Sequence, residues 1–242
     1  MNLHISPTAD DVLRALADYF VAAASQAVAT RGRFAVALSG GSSPKKLYEL
    51  LASPAYHEQV AWEKVYFFFG DERNVPQNSP DSNYLMAKTA LFDPLAIRPG
   101  QVFAVDTRLP PAEAAAQYGV TVEEFFGEEK AEFDLVLLGL GDNAHTASLF
   151  PHTPVLHDKA VGVKEVWLPV EQVFRITFTA PLINQARAVA FLVYGAGKAE
   201  AVHQILELPR DVENYPAQLI EPTSGPADWF LDEAAAQQLQ KR

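Results

Sequence analysis

Short apolar runs, each closed by glycine or a polar residue, recur along the chain. Phe34–Leu38, Val65–Phe69, residues 134–138 and Val189–Val193 are apolar almost throughout rather than alternating. That pattern marks strands buried on both faces, as in a parallel sheet covered by helices. In the intervening segments apolar residues return at helical spacing. Leu13, Leu16, Ala17, Phe20 and Val21 predict an amphipathic helix over residues 9–29. Thr8 and Asp11 open it as a capping box with Asp in place of the usual Glu. Further helices are expected after Pro44, near residues 81–91, and over residues 110–126, 180–186 and 199–208. Residues 101–105, 161–168 and 174–178 read as additional strands. Residues 229–231 form a last short strand, followed by a helix capped at Asp232. The order is that of one α/β domain spanning residues 1–242, with no internal repeat, low-complexity tract or linker.

Chemistry gathers where these runs end. Phe34–Leu38 runs into Ser39, Gly40, Gly41, Ser42, Ser43, Pro44 and Lys45, which open a helix. Glycines admit a ligand close to the backbone, and free amides at a helix start with serine hydroxyls suit an anion. The loop is neither a P-loop nor a dinucleotide fingerprint, so no nucleotide is implied. Taken alone, it is equally a serine-capped turn. Val65–Phe69 ends in Gly70, Asp71, Glu72 and Arg73. These could position a substrate, although in isolation a surface ion-pair network is the commoner meaning.

The central stretch, FDLVLLGLGDNAHTASLFP over residues 133–151, sets Asp142, Asn143 and His145 just beyond a buried strand. Thr146 is expected to begin a short helix that Pro151 stops. Val189–Val193 leads through Tyr194, Gly195, Ala196 and Gly197 to Lys198 at a helix start, by itself an ordinary exposed lysine. In a doubly wound sheet, ligands occupy the crevice beyond the carboxyl ends of the strands. Ser39, Asp71, His145 and Lys198 each stand at such an end, so four coincidences reduce to one site. The implied ligand is a small molecule carrying an anion, with His145 acting as acid or base on its other end.

Composition narrows the field. The net charge of −11 argues against a nucleic-acid surface or anionic lipid, yet leaves room for a small anionic substrate held by local cations. The absence of cysteine removes disulfides, thiolate zinc sites and cysteine nucleophiles. No evident His and acid cluster suggests a metal, so metal-free acid–base catalysis is the simplest expectation. No run reads as long and apolar enough to cross a bilayer, and no signal-peptide layout opens the chain. A cytoplasmic location is therefore expected.

At these residues the chain resembles a known family. ALSGGSSPKKLYELL, FFGDERNVP with DSNY, the GLG and HTASLFP pair, RITFT with LIN, and FLVYGAGKAEAV are similar to 6-phosphogluconolactonases, as is the closing tryptophan segment. The resemblance runs from about Phe34 to Ala236. It implies a Rossmann-like three-layer α/β/α sandwich with a mostly parallel central sheet, in the glucosamine-6-phosphate isomerase-like group. It also implies hydrolysis of 6-phospho-D-glucono-1,5-lactone to 6-phosphogluconate in the oxidative pentose phosphate pathway, without metal or cofactor, by a monomer or weak homodimer.

Carried over residue by residue, His145 corresponds to a general base that activates water. Ser39, Gly40, Gly41, Ser42 and Ser43 correspond to the phosphate turn, and Arg175 and Lys198 to basic residues around the phosphate. Asp71 and Arg73 correspond to the lactone end, Arg73 as a stabiliser of oxyanion charge. The family usually reads Asp-Gly-His where this chain has Asn143, Ala144 and His145. Asn143 can hydrogen-bond but carries no charge, and Ala144 would be strained at a positive φ. Asp142, one position earlier, is expected to take the missing carboxylate's part. Gly197 likewise stands where glutamate is common. A glucosamine-6-phosphate deaminase is disfavoured, because Ser148–Pro151 lacks that enzyme's glutamate. A sugar-phosphate-binding protein that has lost catalysis is the other alternative, supported only by Asn143 and Ala144.

Overall fold

Four of the apolar runs become neighbouring members of one parallel sheet. The computed structural model describes residues 1–240. Six parallel strands lie side by side in the order Asn2–Ser6 (β1), Asp228–Asp232 (β9), Val189–Val193 (β8), Leu135–Leu138 (β5), Phe34–Leu38 (β2) and Val65–Phe69 (β3). Alternate residues of each central strand enter opposite layers. Val36, Leu38, Phe67, Phe69 and Leu137 meet helices α1 (Ala9–Arg31), α2 (Ser42–Leu51) and α3 (Asn83–Ala87). Ala35, Ala37, Phe68, Val136 and Leu138 meet α4 (Pro111–Phe126), α5 (Ala180–Asn184) and α6 (Ala199–Glu207). This two-sided burial is why the runs are continuous. Phe67, Phe68 and Phe69 are at most 1% exposed, and each stabilises the fold by about 2 kcal/mol of transfer free energy.

A second, antiparallel sheet orders Asp71–Arg73 (β4), Val173–Phe178 (β7) and Val163–Leu168 (β6). Gly70 joins the two sheets: its amide donates to the Leu38 carbonyl, and its own carbonyl accepts from the Phe178 amide. β4 therefore begins at the carboxyl end of β3 and carries its three polar residues along the rim of the parallel sheet.

Several local expectations are corrected. Residues 101–105 make only an isolated bridge between Val102 and Phe67. The Gln101 amide group donates to the Val65 and Trp62 carbonyls instead, and Pro99–Gln101 is a helical turn. Residues 146–150 form a tight turn rather than a helix. Ala147 is left-handed (φ 48°), and the Thr146 hydroxyl donates to the Gly139 carbonyl. So short a segment lacks the length to propagate a helix, and its polar side chains compete for the backbone. Asp232 does cap, accepting from the Ala235 and Gly195 amides, yet only turns follow.

β1 was unforeseen, because its NLHIS sequence sits at a half-exposed sheet edge. The start of α1 holds as a one-way cap: Thr8 accepts from the Asp11 amide and donates its hydroxyl to the Asp11 carboxylate. At 23 residues, α1 is by length and composition long and apolar enough to cross a membrane, contrary to the sequence reading. In the fold its apolar stripe (Val12, Leu16, Phe20, Ala24 and Ala27) is buried.

Candidate active site

From β2 the chain passes to β3 on one side, whereas β5, β8 and β9 lie on the other. The order of the sheet thus reverses between β2 and β5, the position at which a crevice opens in doubly wound sheets. A cavity of about 340 Å³ opens there, lined by Ser39, Gly40, Gly41, Ser42, Ser43, Asp71, Arg73, His145, Arg175 and Lys198. The structure therefore brings together residues from all of the strand ends singled out in the sequence. Asp142 and Asn143 are not on its wall; they touch Lys198 and His145, which are.

Each wall has a local cause. Tyr48, fully buried in α2, accepts from the Ser39 amide and donates to the Ser39 carbonyl, which pins the start of the loop. Gly41 (φ 107°) then turns the chain into α2. A Cβ on Gly40 would lie 1.9 Å from Asn83 Oδ1, so only glycine fits. Asn83 in turn donates to the Asp71 carbonyl and, at 3.4 Å, to its carboxylate.

The trio of Asp71, Glu72 and Arg73 is not a surface network. Glu72 is 2% exposed and accepts from the Arg73, Asn83 and Tyr84 amides and the Ser82 hydroxyl. It therefore caps α3. Burial nonetheless raises its carboxyl above the ordinary value, against the lowering effect of those amides. Asp71 is 7% exposed and accepts from the Ser148 hydroxyl at 2.8 Å.

Arg73 and Arg175 stand directly opposite each other in the β4–β7 ladder. Arg73 donates to the Asp81 carbonyl, and Arg175 pairs with Glu171. Like charges directly across a ladder destabilise it. In addition, Nε of both arginines and Oγ of Ser39 are buried without a partner. Three unsatisfied polar atoms on residues of one cavity wall are what an anion-binding site looks like before its ligand arrives.

His145 is half-buried. Its ring stacks on Phe150 with centroids 3.9 Å apart at 19°, and the Arg175 guanidinium lies over the far ring at 5.9 Å. Nδ1 meets Oδ1 of Asn143. An amide oxygen only accepts, so Nδ1 carries the proton and Nε2 keeps the lone pair. Burial pushes the imidazole down to about 4; Asp71 opposes this, and Arg175 and Lys198 add to it. At neutral pH the ring is therefore uncharged.

Asp142 is not the partner of the imidazole, contrary to expectation: its carboxylate accepts from Lys198 at 2.5 Å. The backbone explains this. Ala144 is left-handed (φ 60°), as are Ala147 (φ 48°) and His152 (φ 61°), and the tight turn swings Asn143 rather than Asp142 under the ring. The strain anticipated at Ala144 is thus present, at about 1 kcal/mol. Its carbonyl accepts from the Ala217 amide, which ties the loop down.

His152 and His157, considered as possible neighbours of the pocket, face Glu213 instead. Sequence reasoning missed Phe150, Ser148, Asn83 and Glu171. The first three lie within motifs already quoted, whereas Glu171 sits on the turn between β6 and β7 and carries no local signal. Among the described residues no group of His, Asp and Glu is arranged to hold a metal ion.

A family model described as glucosamine-6-phosphate isomerases/6-phosphogluconolactonase matches residues 7–229. The 6-phosphogluconolactonase of Synechocystis sp. is 44% identical over 220 residues, which is 89% of this chain and 88% of that protein. The 6-phosphogluconolactonase of Nostoc sp. is 44% identical over 221 residues, 88% of each. The solved structure of 6-phosphogluconolactonase from Trypanosoma cruzi superposes with a TM-score of 0.87 at 28% identity, over 99% of this chain and 97% of that one. Fold, crevice and sequence therefore agree: the chain belongs to the family of glucosamine-6-phosphate isomerases and 6-phosphogluconolactonases.

Proposed function

We propose that the protein hydrolyses 6-phospho-D-glucono-1,5-lactone to 6-phosphogluconate, with His145 as general base. The observation that carries this reading is the position of the His145 imidazole, its Nδ1 against Asn143, on the wall of a cavity that also holds Arg73, Arg175 and Lys198. The substrate phosphate is held by the Ser39–Ser43 turn with Lys198 and Arg175. Arg73 is reassigned from the lactone end to the phosphate, because its place across the ladder from Arg175 favours two guanidiniums on one anion.

Nε2 takes a proton from water as its oxygen bonds to C1. The C1–O5 bond then breaks, and the imidazolium returns the proton to O5. Positioning of the two reactants supplies much of the remaining acceleration.

The test is a pair of assays on the purified protein. Decay of the phosphorylated lactone should be accelerated well above its spontaneous rate, and ammonia release from glucosamine 6-phosphate should be absent. The opposite pattern would overturn the assignment.

The pH dependence follows from the depressed imidazole. Activity needs the neutral ring, so kcat/KM should keep its neutral-pH value well into the acid range and fall only near pH 4. Asn143→Asp puts a carboxylate beside Nδ1, which favours the imidazolium and should move that limb up by about one pH unit or more. Stability should change in the same range. Between the ordinary value of 6.5 and about 4, the unfolded chain binds the proton that the folded ring refuses. Acidification through this window therefore weakens the fold.

A further inference from the structure

Two carboxylates line the cavity, Asp71 and Glu171, and their surroundings differ. Glu171 is paired with Arg175. Asp71 has no cationic partner among the described residues, although it is 7% exposed. Its oxygens are held by neutral groups only, the Ser148 hydroxyl at 2.8 Å and the Asn83 amide at 3.4 Å. Ser148 and Asn83 are themselves buried. A buried carboxylate left uncompensated is costly, and proton transfer does not account for it, since Nδ1 of His145 is engaged by Asn143.

We propose that Asp71 is a specificity-determining residue, one that makes the histidine end of the cavity accept an uncharged C1 carbonyl and reject a carboxylate. The inference rests on the reaction proposed above. In that reaction the phosphate end is the same before and after turnover, so its contacts hold product as firmly as substrate. Only the other end changes. Water oxygen bonds to C1, the C1–O5 bond breaks and O5 takes a proton. The new carboxyl group then loses its own proton to solvent, because its pKa lies far below neutrality. Hydrolysis thus creates a negative charge at the end of the cavity where Asp71, hydrogen-bonded to Ser148 of the turn that carries His145, already presents a carboxylate. Three cations line the cavity, and the reaction proposed above commits all three to the phosphate: Lys198, which holds Asp142, Arg175, which holds Glu171, and Arg73, whose contact is the neutral Asp81 carbonyl. Repulsion from Asp71 therefore loosens the product as soon as it forms.

The experiment compares two ligands that share the phosphate and differ in charge at C1, 6-phosphogluconate and 6-phosphogluconamide, by calorimetric titration. Wild-type protein should bind the neutral amide about tenfold more tightly than the acid, the size expected for a partly screened pair of like charges. Asp71→Asn, which keeps the shape and hydrogen-bonding reach of the side chain, should bring the two affinities within about twofold, chiefly by tightening the acid. Product inhibition in lactone assays should strengthen correspondingly. Equal affinities in the wild type would overturn the proposal, as would equal weakening of both ligands in the variant. If Asp71→Asn does not fold, the wild-type comparison alone decides. An active lactonase that fails to discriminate would sink only the role of Asp71; absence of lactonase activity would remove the reaction as well.

Discussion

His145→Ala is expected to lower kcat/KM for the phosphorylated lactone by about a thousandfold, within the range general-base catalysis supplies. Among the described residues the ring is the one imidazole on the cavity wall, and its contact with Asn143 through Nδ1 leaves Nε2 facing no protein partner. No neighbouring carboxylate can replace it: Asp71 is held by Ser148 and Asn83, and Glu171 by Arg175. The loss should appear in kcat, because the phosphate turn, Lys198 and Arg175 are untouched and ligand affinity rests on them. Stability should change little, since the half-buried ring borders an open cavity that water can enter. Initial rates corrected for spontaneous lactone decay, with 6-phosphogluconate titrated in parallel, measure both quantities. A variant retaining a tenth of wild-type turnover would show that the imidazole is not the base.

The second large effect comes from a residue with no reactive group. A Cβ on Gly141 would lie 2.1 Å from both Nδ1 and Cε1 of His145, which no rotation of a methyl relieves. Gly141 is held in place, since its amide donates to the His145 carbonyl and its carbonyl accepts from the Ala144 amide. The ring must therefore move, giving up both the Asn143 contact and the stack on Phe150. Displacement of a base by about 1 Å costs about a hundredfold, so Gly141→Ala should lose at least that in kcat while keeping its affinity for 6-phosphogluconate and its melting temperature. Gly139→Ala is the control. No protein atom lies within 4 Å of a Cβ there, so kcat should stay near normal, any cost of the added methyl on the cavity wall falling on KM. Equal loss in both variants would mean that the loop, rather than the ring, had been damaged.

How far the sequence revealed these features follows from burial. The strands β2, β3, β5 and β8 are legible because covering both faces of a strand demands an unbroken apolar run. Convergence of Ser39, Asp71, His145 and Lys198 is legible because a parallel sheet sends every carboxyl end to one edge. β4 is not, since Asp71–Arg73 is wholly polar and becomes a strand only by pairing with β7, about a hundred residues later. That pairing sets Arg73 directly across from Arg175, a neighbour the sequence motif alone does not reveal. The exchange of roles between Asp142 and Asn143 was hidden for a similar reason. Side chains one position apart point in directions set by the φ angles of the turn, and those angles belong to the fold.

The loop that carries His145 is wound through Ala144, Ala147 and His152 in a backbone region that side chains resist. Burial of Ala144, Thr146, Ser148 and Leu149 offsets that strain in the folded state, but the strain lowers the cost of opening this turn relative to the unstrained strands beside it. Warming should therefore abolish turnover several degrees below the point at which the sheet melts, and cooling should restore it. Turnover and the folded architecture would then have separate thermal limits, which activity and melting followed in parallel on heating would measure.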